Sequence, residues 1–458
     1  MARREHLLKI GVSGIRGVVG EFLTPQLACA FAQAFGTYVG RGRVVVGRDT
    51  RASGPMLQHS VACGLLAAGC QVIDVGVLPT PTIQVYVASM GARGGIAITA
   101  SHNPSEYNAL KLFGSSGLIF NNYERSELLD LFHQSEFRQA VNAEIGSVER
   151  EYEAPKRRHI ERVLRHVDVE RIRARRFAVA LDAVNGAGAV MTPNFLREEL
   201  GCRVEAINVD PTRPFPRVAE PRPDTLGDLA ELVRRTGADL GFAQDPDGDR
   251  LAVADETGLV IDNDDVLALV VDAALERLPG DVVVNLTTSS VVNDIARAHG
   301  RRVYRTPVGE ANVVETMQVV NAAIGGEGSN GGVIFPAVHL CRDSYTGMAF
   351  LLDRMAQTGL TVSALTGRLP RYYRKLGKVT FEHGMLGALM QALEDRFPDV
   401  ETDRSDGLKI IWPDAWIHVR ASNTEPILRL AVEAPTRSRM ELMYDELEEL
   451  FAAVRDAF

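Results

Sequence analysis

The sequence predicts an α/β protein, in which three successive α/β units with mixed, mostly parallel sheets precede a smaller C-terminal α+β domain. Three observations carry the prediction. Short β-branched runs bounded by glycine alternate with longer amphipathic stretches over most of the chain, the pattern of repeated βα units. From about Arg371 this gives way to closely spaced strand-like runs with appended helices. The 458 residues are also too many for a single hydrophobic core.

In the first unit, 44–47, 71–75 and 95–99 read as strands. Thr24 is placed to cap a helix running to about Tyr38, with Pro25 at its first position, where a missing N–H costs nothing. A basic amphipathic segment over 155–176 reads as a helix with a solvated face and leads into a strand at 177–182, setting a boundary near residue 154. The second unit contains a proline-rich connection, 211–223, able to hold little regular structure, and then a strand at 251–254 followed by a turn at 255–258. Strands at 281–285, 302–305 and 332–335 belong to the third unit. The last domain reads as a strand at 378–381, a helix at 386–396, strands at 407–412, 415–420 and 427–434, and a helix from 437 to 458. Domains are therefore expected at 1–154, 155–256, 257–370 and 371–458.

A formal charge of −9 and no basic stripe argue against a nucleic-acid partner. The first ten residues hold no apolar run long enough for a signal peptide, and no segment is long and apolar enough to span a bilayer. The five cysteines are far apart without a C-x-x-C pair, which reads as reduced thiols in a cytoplasmic protein.

Asp245-Pro246-Asp247-Gly248-Asp249-Arg250 is the strongest chemical signal. In an extended segment, side chains two apart point the same way, so the three carboxylates can converge on one hard dication of the magnesium type. Arg250 then balances the excess charge or holds a phosphate. An EF-hand is the rival reading, but Arg250 stands where the calcium loop needs glycine, and a strand follows where a helix should enter. A solvated acidic turn is the other alternative.

Thr99-Ala100-Ser101-His102-Asn103-Pro104 follows a predicted strand, which puts Ser101 at a strand's carboxyl end, where open α/β sheets bind ligands. Its hydroxyl can accept and return a phosphoryl group; the same residues also make an ordinary polar turn. His102 can brace this loop. Lys111 reads either as a salt-bridged surface lysine or as a proton shuttle whose pKa is lowered by burial. Gly326-Glu327-Gly328-Ser329-Asn330-Gly331 matches G-x-G-x-x-G, but a strand and Pro336 follow instead of a helix, so it is not a dinucleotide site. Its carboxylate and hydroxyl suit sugar hydroxyls. The turn 420–426, with Arg420, Ser422, Asn423 and Thr424, and Arg429 beyond it, has the groups to bind a phosphate dianion or simply links two strands. Arg16, among glycines at 11–17, either meets a phosphate or closes a tight loop.

Together and in this order, these loops closely resemble the α-D-phosphohexomutase superfamily of phosphoglucomutases, phosphomannomutases and phosphoglucosamine mutases. The likeness rests on 14–17, 99–104, 245–250, 306–309, 326–329 and 420–426 and covers nearly the whole chain. It implies that the four domains surround one central cleft, and that Ser101 is carried as phosphoserine and holds Mg2+ with Asp245, Asp247 and Asp249. It further implies a hexose 1,6-bisphosphate intermediate that turns over in the cleft. Lys111 is then the acid/base, and His102 and Arg16 complete the catalytic set. Glu327 and Ser329 bind the sugar, while Arg420, Ser422, Asn423, Thr424, Arg429 and Arg250 hold phosphate. The fourth domain is expected to close by a hinge near 368–375.

Two positions depart from the family pattern. Asn330-Gly331 replaces a common Gly-His, and Ala109 replaces a glycine before the lysine. The expected partners are small hexose phosphates, with glucosamine phosphate favoured over mannose or glucose phosphate, and the expected assembly is a monomer or homodimer. A metal-dependent phosphatase and a sugar-phosphate sensor are the competing classes.

Overall fold

The computed structural model describes residues 8–11, 14–381, 384–421 and 427–456 and contains four β-sheets. The first has seven strands, ordered Leu8–Gly11, Gly14–Val18, Tyr107–Phe113, Gly94–Ile98, Arg43–Arg48, Gln71–Val77 and Val148–Arg150. The last four run parallel, and the first three add on antiparallel. Phe31, Phe35, Val44, Val46, Ile96, Ile98 and Leu110 close its core on one face. Thr24 caps the helix Pro25–Val39 by accepting from the Leu27 N–H, as its position in the sequence predicts.

Arg16 does not lie in a loop. Gly14–Val18 is a strand, and Arg16 pairs with Ala109 in register, which carries its side chain to the face that meets the serine loop. The basic segment over 155–176 is also not one helix. It divides into Glu153–Leu164 and Val169–Arg175, because the Asp168 side chain accepts from the Arg171 N–H and starts a second helix there.

The second sheet is ordered Leu251–Ala254, Leu240–Gln244, Ala178–Asp182 and Arg203–Ile207, antiparallel at the first pair and parallel after it. The third runs Val303–Thr306, Val282–Asn285, Ile324–Glu327, Gly332–Phe335 and His339–Arg342, with two parallel pairs and then two antiparallel ones. These two sheets share one core. Phe195, Phe242, Leu251, Val266, Tyr345 and Phe350 belong to it, and the helices Asn263–Leu275 and Ser344–Thr358 run through it buried along most of their length.

The fourth sheet is wholly antiparallel, Tyr373–Thr380, Ile427–Ala434, Trp416–Ala421, Leu408–Ile411 and Glu401–Asp403. Leu428, Leu430 and Val432 face the helices Met385–Arg396 and Arg437–Asp456. The opposite face docks on the third unit. Arg374 pairs with Asp264 and, at 3.2 Å, with Asp262; Glu433 accepts from the Ser290 N–H at 2.8 Å; and Asp406 accepts from the Val308 N–H at 3.0 Å. Lys409, almost wholly buried, donates to the Leu286 carbonyl and lies 4.1 Å from the centre of the Trp416 ring.

No helix among the described residues is long and apolar enough to cross a membrane. All five cysteines are free thiols.

Candidate active site

The serine, acidic and glycine-rich loops picked out from the sequence meet at the carboxyl ends of parallel strands. Ser101 follows Gly94–Ile98 and adopts φ 49°, a left-handed conformation that costs a non-glycine residue about 1–3 kcal/mol and persists only where its surroundings impose it. Arg51 imposes it here. Its guanidinium donates to the Ser101 carbonyl at 2.6 Å, to Asn103 at 2.7 Å, to Pro104 at 2.6 Å and to Tyr107 at 3.0 Å. Asp49 holds Arg51 at 3.0 Å and accepts from the Thr99 hydroxyl at 2.7 Å, so a buried ion pair shapes the whole loop.

The acidic residues converge through a turn and not through an extended segment. The Gly248 N–H donates to the Asp245 carbonyl at 3.1 Å, and Gly248 takes φ 66°, which its missing Cβ permits. The Asp249 and Arg250 N–H groups both donate to Asp245 Oδ1, at 3.1 and 3.2 Å. One oxygen from each of Asp245, Asp247 and Asp249 lies within 4.8 Å of the others, and all three residues are buried. The Ser101 hydroxyl donates to Asp245 Oδ2 at 2.8 Å.

This donor set fits a dication. Asp247 Oδ1 and Asp249 Oδ1 are buried and accept no hydrogen bond among the described residues. In the surrounding cluster six acids (Asp245, Asp247, Asp249, Glu220, Glu310 and Glu327) face four cations (Lys111, Arg16, Arg250 and Arg342), a formal excess of two negative charges. Burial, with Asp249 and Asp247 beside it, raises Asp245 well above the ordinary carboxylate range. A dication would relieve that repulsion.

Lys111 is buried on the strand Tyr107–Phe113, not on the surface, and its Nζ lies 2.6 Å from Asp247 and 3.5 Å from Asp249. Burial alone would lower its pKa, but the two carboxylates outweigh burial and hold it above the ordinary lysine value. In this state it is a proton donor. Arg16 donates to the Asn103 side chain at 2.7 Å. Arg250 pairs with Glu220, which the proline-rich connection supplies, and its Nε lies 3.8 Å from Asp249 Oδ1 without a hydrogen bond among the described residues. His102 lies 3.5 Å from Glu220, and Arg250, burial and Arg16 together keep its ring neutral.

Glu327 ends the strand Ile324–Glu327 with its carboxylate held by three donors. It accepts from Asn285 at 3.0 Å, from the Gly309 N–H at 2.9 Å and from Arg342 at 3.2 Å. Ser329 lies half-buried in a short 3-10 turn, 3.5 Å from the Thr287 hydroxyl. Arg420 sits at the end of a strand and not in a turn, held at 3.0 Å by the same Asp406 that accepts from Val308. Arg429 pairs with Arg420 across the strands and is exposed, and Lys378 pairs with Arg429 from the other side. Ser422, Asn423 and Thr424 lie outside the described residues.

Several residues of the site stand out only in the structure. Arg51, Thr80, Glu220, Arg342, Asp406 and Lys378 belong to no recognisable motif. Thr80 donates to Asp247 Oδ2 at 2.6 Å. Arg342 joins Asp249 at 2.7 Å to Glu310 and Glu327 at 3.2 Å each, linking the acidic loop to the glycine-rich loop. Asp49 and Arg51 follow a strand's carboxyl end just as Ser101 does, and that placement was the available signal.

The chain matches four family models, described as Phosphoglucomutase/phosphomannomutase alpha/beta/alpha domains I, II and III and C-terminal domain, over residues 7–139, 157–258, 262–373 and 380–450. It is 41% identical over 452 residues to a phosphoglucomutase/phosphomannomutase of Thermococcus kodakarensis, covering 96% of this chain and 98% of the relative. A probable phosphoglucosamine mutase of Methanopyrus kandleri is 38% identical over 451 residues, covering 96% and 97%. Among solved structures, a phosphoglucomutase/phosphomannomutase family protein of Burkholderia thailandensis superimposes with a TM-score of 0.84 at 28% identity, covering 96% of both chains. The four matched domains, the full-length relatives and the serine, acidic and glycine-rich loops gathered at one place agree: the chain belongs to the phosphoglucomutase/phosphomannomutase family.

Proposed function

We propose that the protein is a phosphohexomutase that interconverts hexose 6-phosphate and hexose 1-phosphate through a phosphoserine at Ser101. The observation that carries this is the Ser101 hydroxyl 2.8 Å from Asp245, inside a buried acidic triad with two unsatisfied carboxylate oxygens. Four units, 1–154, 155–256, 257–370 and 371–458, each contribute one loop to the reaction.

In the forward half, the bond from phosphorus to Ser101 Oγ breaks and a bond to the sugar hydroxyl forms, while the hydroxyl proton passes, in net terms, to Oγ. Lys111 is placed to move that proton, and Arg16 and His102 hold the loop and the transferring group. The 1,6-bisphosphate then turns over, and the second half returns the other phosphate to Ser101. Magnesium held by Asp245, Asp247, Asp249 and Ser101 supplies positive charge against the phosphoryl oxygens. Positioning and charge neutralisation provide most of such a rate, and Arg250 adds to both.

Glu327 and Ser329 recognise sugar hydroxyls. Because Glu327 is fixed by three donors, it acts as a rigid acceptor. Arg420, Arg429, Ser422, Asn423 and Thr424 hold the phosphate that is not reacting. The fourth unit closes by a hinge near 368–375, which runs from beyond Val362–Thr366 into the start of the strand Tyr373–Thr380. Glucosamine phosphate is the favoured substrate, with mannose or glucose phosphate as alternatives, and the enzyme acts in the cytoplasm as a monomer or homodimer.

Ser101→Ala should lower interconversion about a thousandfold or more without changing the melting temperature by more than a few degrees. Retained turnover would remove Ser101 from the mechanism. Side-by-side rates with glucosamine, mannose and glucose phosphates, each with a trace of its bisphosphate, fix the sugar; release of free phosphate in place of an isomer would indicate a phosphatase.

A further inference from the structure

A pocket of about 460 Å³ opens where three parts of the chain meet, away from the loops of the catalytic cleft. The turn after the strand Tyr107–Phe113 contributes Ser116, the exit of the helix Glu153–Leu164 contributes Arg162, Arg165 and His166, and the third unit contributes Gln318 and His339. The rest of the lining is apolar, and none of it is acidic. In a chain of net charge −9, a pocket with two guanidiniums, two imidazoles, a hydroxyl and a carboxamide but no carboxylate is a marked local reversal of sign.

Arg162 and His166 are held in place. Arg162 donates one N–H to the Val338 carbonyl at 3.0 Å, and neither Arg162 nor Arg165 pairs with a carboxylate among the described residues. The His166 ring stands edge-on to Phe335 at 5.1 Å, and its carbonyl accepts from Arg277 at 2.9 Å. His339 is only 8% exposed and its Nε2 lies against the Gly117 backbone.

We propose that this pocket binds a small phosphate ester as an effector, apart from the catalytic site. Two arginines with free N–H groups suit a phosphate dianion, neutral imidazole, hydroxyl and amide groups suit its ester oxygen and hydroxyls, and the volume accommodates a molecule of about hexose-phosphate size or smaller. His339 begins the four-residue strand that ends at Arg342, so the pocket and the catalytic acids share one short rigid element.

Calorimetric titration with glycerol 3-phosphate tests the proposal, because it counts sites whether or not the chain is a mutase. The full-length protein should show two classes of site. Arg165→Glu, at an exposed position, and separately Arg162→Gln should weaken one class by about tenfold or more while the other class and the KM for hexose phosphate stay as in the parent. No binding, or binding untouched by either substitution whether in one class or two, would overturn the proposal. Citrate binding more tightly than glycerol 3-phosphate at the arginine-dependent site would overturn the phosphate-ester assignment in favour of a polycarboxylate.

Discussion

At the scale of single residues, the site depends on carboxylates whose partners are chosen with care. Asp247 is raised by burial, but Lys111, Asp245 and Thr80 outweigh that and leave it ionised. Thr80 is the partner easiest to remove cleanly, since its hydroxyl donates to Asp247 Oδ2 and its backbone N–H to the Asp247 carbonyl at 2.8 Å. Thr80→Val keeps the backbone bond and the shape while deleting the side-chain donor. It should weaken magnesium activation by about 10–100-fold, as expected for a group that orients a metal ligand, with the fold retained. An unchanged magnesium titration would show that the Thr80 bond does not orient Asp247. Asp247→Asn should blunt the magnesium response more severely, and an unaltered response would take the acidic loop out of the mechanism.

At the scale of elements, the helix Asn263–Leu275 carries an unusual load. Asp262 caps it, and Asp264 and Asp265 follow in its first turn. A helix N-terminus favours a carboxylate by about 0.3–1 kcal/mol, yet burial, with Asp262 next, pushes Asp265 up to about 7, and burial pushes Asp264 up to about 6 despite Arg374. Folded pKa values above the unfolded ones mean that this contribution to stability is present in full below about pH 4 and is lost as pH rises through 6 to 7. Asp265→Asn should therefore raise stability by about 1–2 kcal/mol at pH 8 and leave it unchanged near pH 4, read by denaturant unfolding at both values. Equal effects at the two pH values would show that Asp265 is ionised normally in the folded chain.

The same scale shows what was legible in the sequence. Thr24-Pro25 announced its helix, and 332–335 and 427–434 are strands as expected from the sequence. The strand carrying Arg16 was hidden because its glycines lower strand propensity, and pairing with Tyr107–Phe113 supplies what propensity lacks. The break at Asp168 was hidden because helical periodicity continues across it, while one side-chain cap decides the boundary. In the site, clustered motifs were readable and solitary partners were not. Arg51 reaches residues about fifty positions away, and Arg342 reaches Asp249 across ninety-three, distances that only the fold closes.

At the scale of the whole molecule, the fourth unit is fastened beside the segment proposed as its hinge. Tyr372 donates to Asp294 at 2.7 Å, and Arg374 pairs with Asp262 and Asp264. Arg374→Ala leaves a buried acid without its cation and should cost about 3 kcal/mol of docking. Limited proteolysis should then cut the hinge segment faster, and the KM for hexose phosphate should rise. Cleavage at the parent rate would mean that the hinge is restrained elsewhere.

Much of that fastening is directed at main-chain atoms. Glu433 takes the Ser290 N–H, Asp406 takes the Val308 N–H and Lys409 gives to the Leu286 carbonyl, none of which depends on what side chain its partner carries. The third unit can thus change residues at those three positions while the socket keeps its form. Fourth domains exchanged between family members that keep the glutamate, aspartate and lysine should seat as chimeras on a foreign catalytic body.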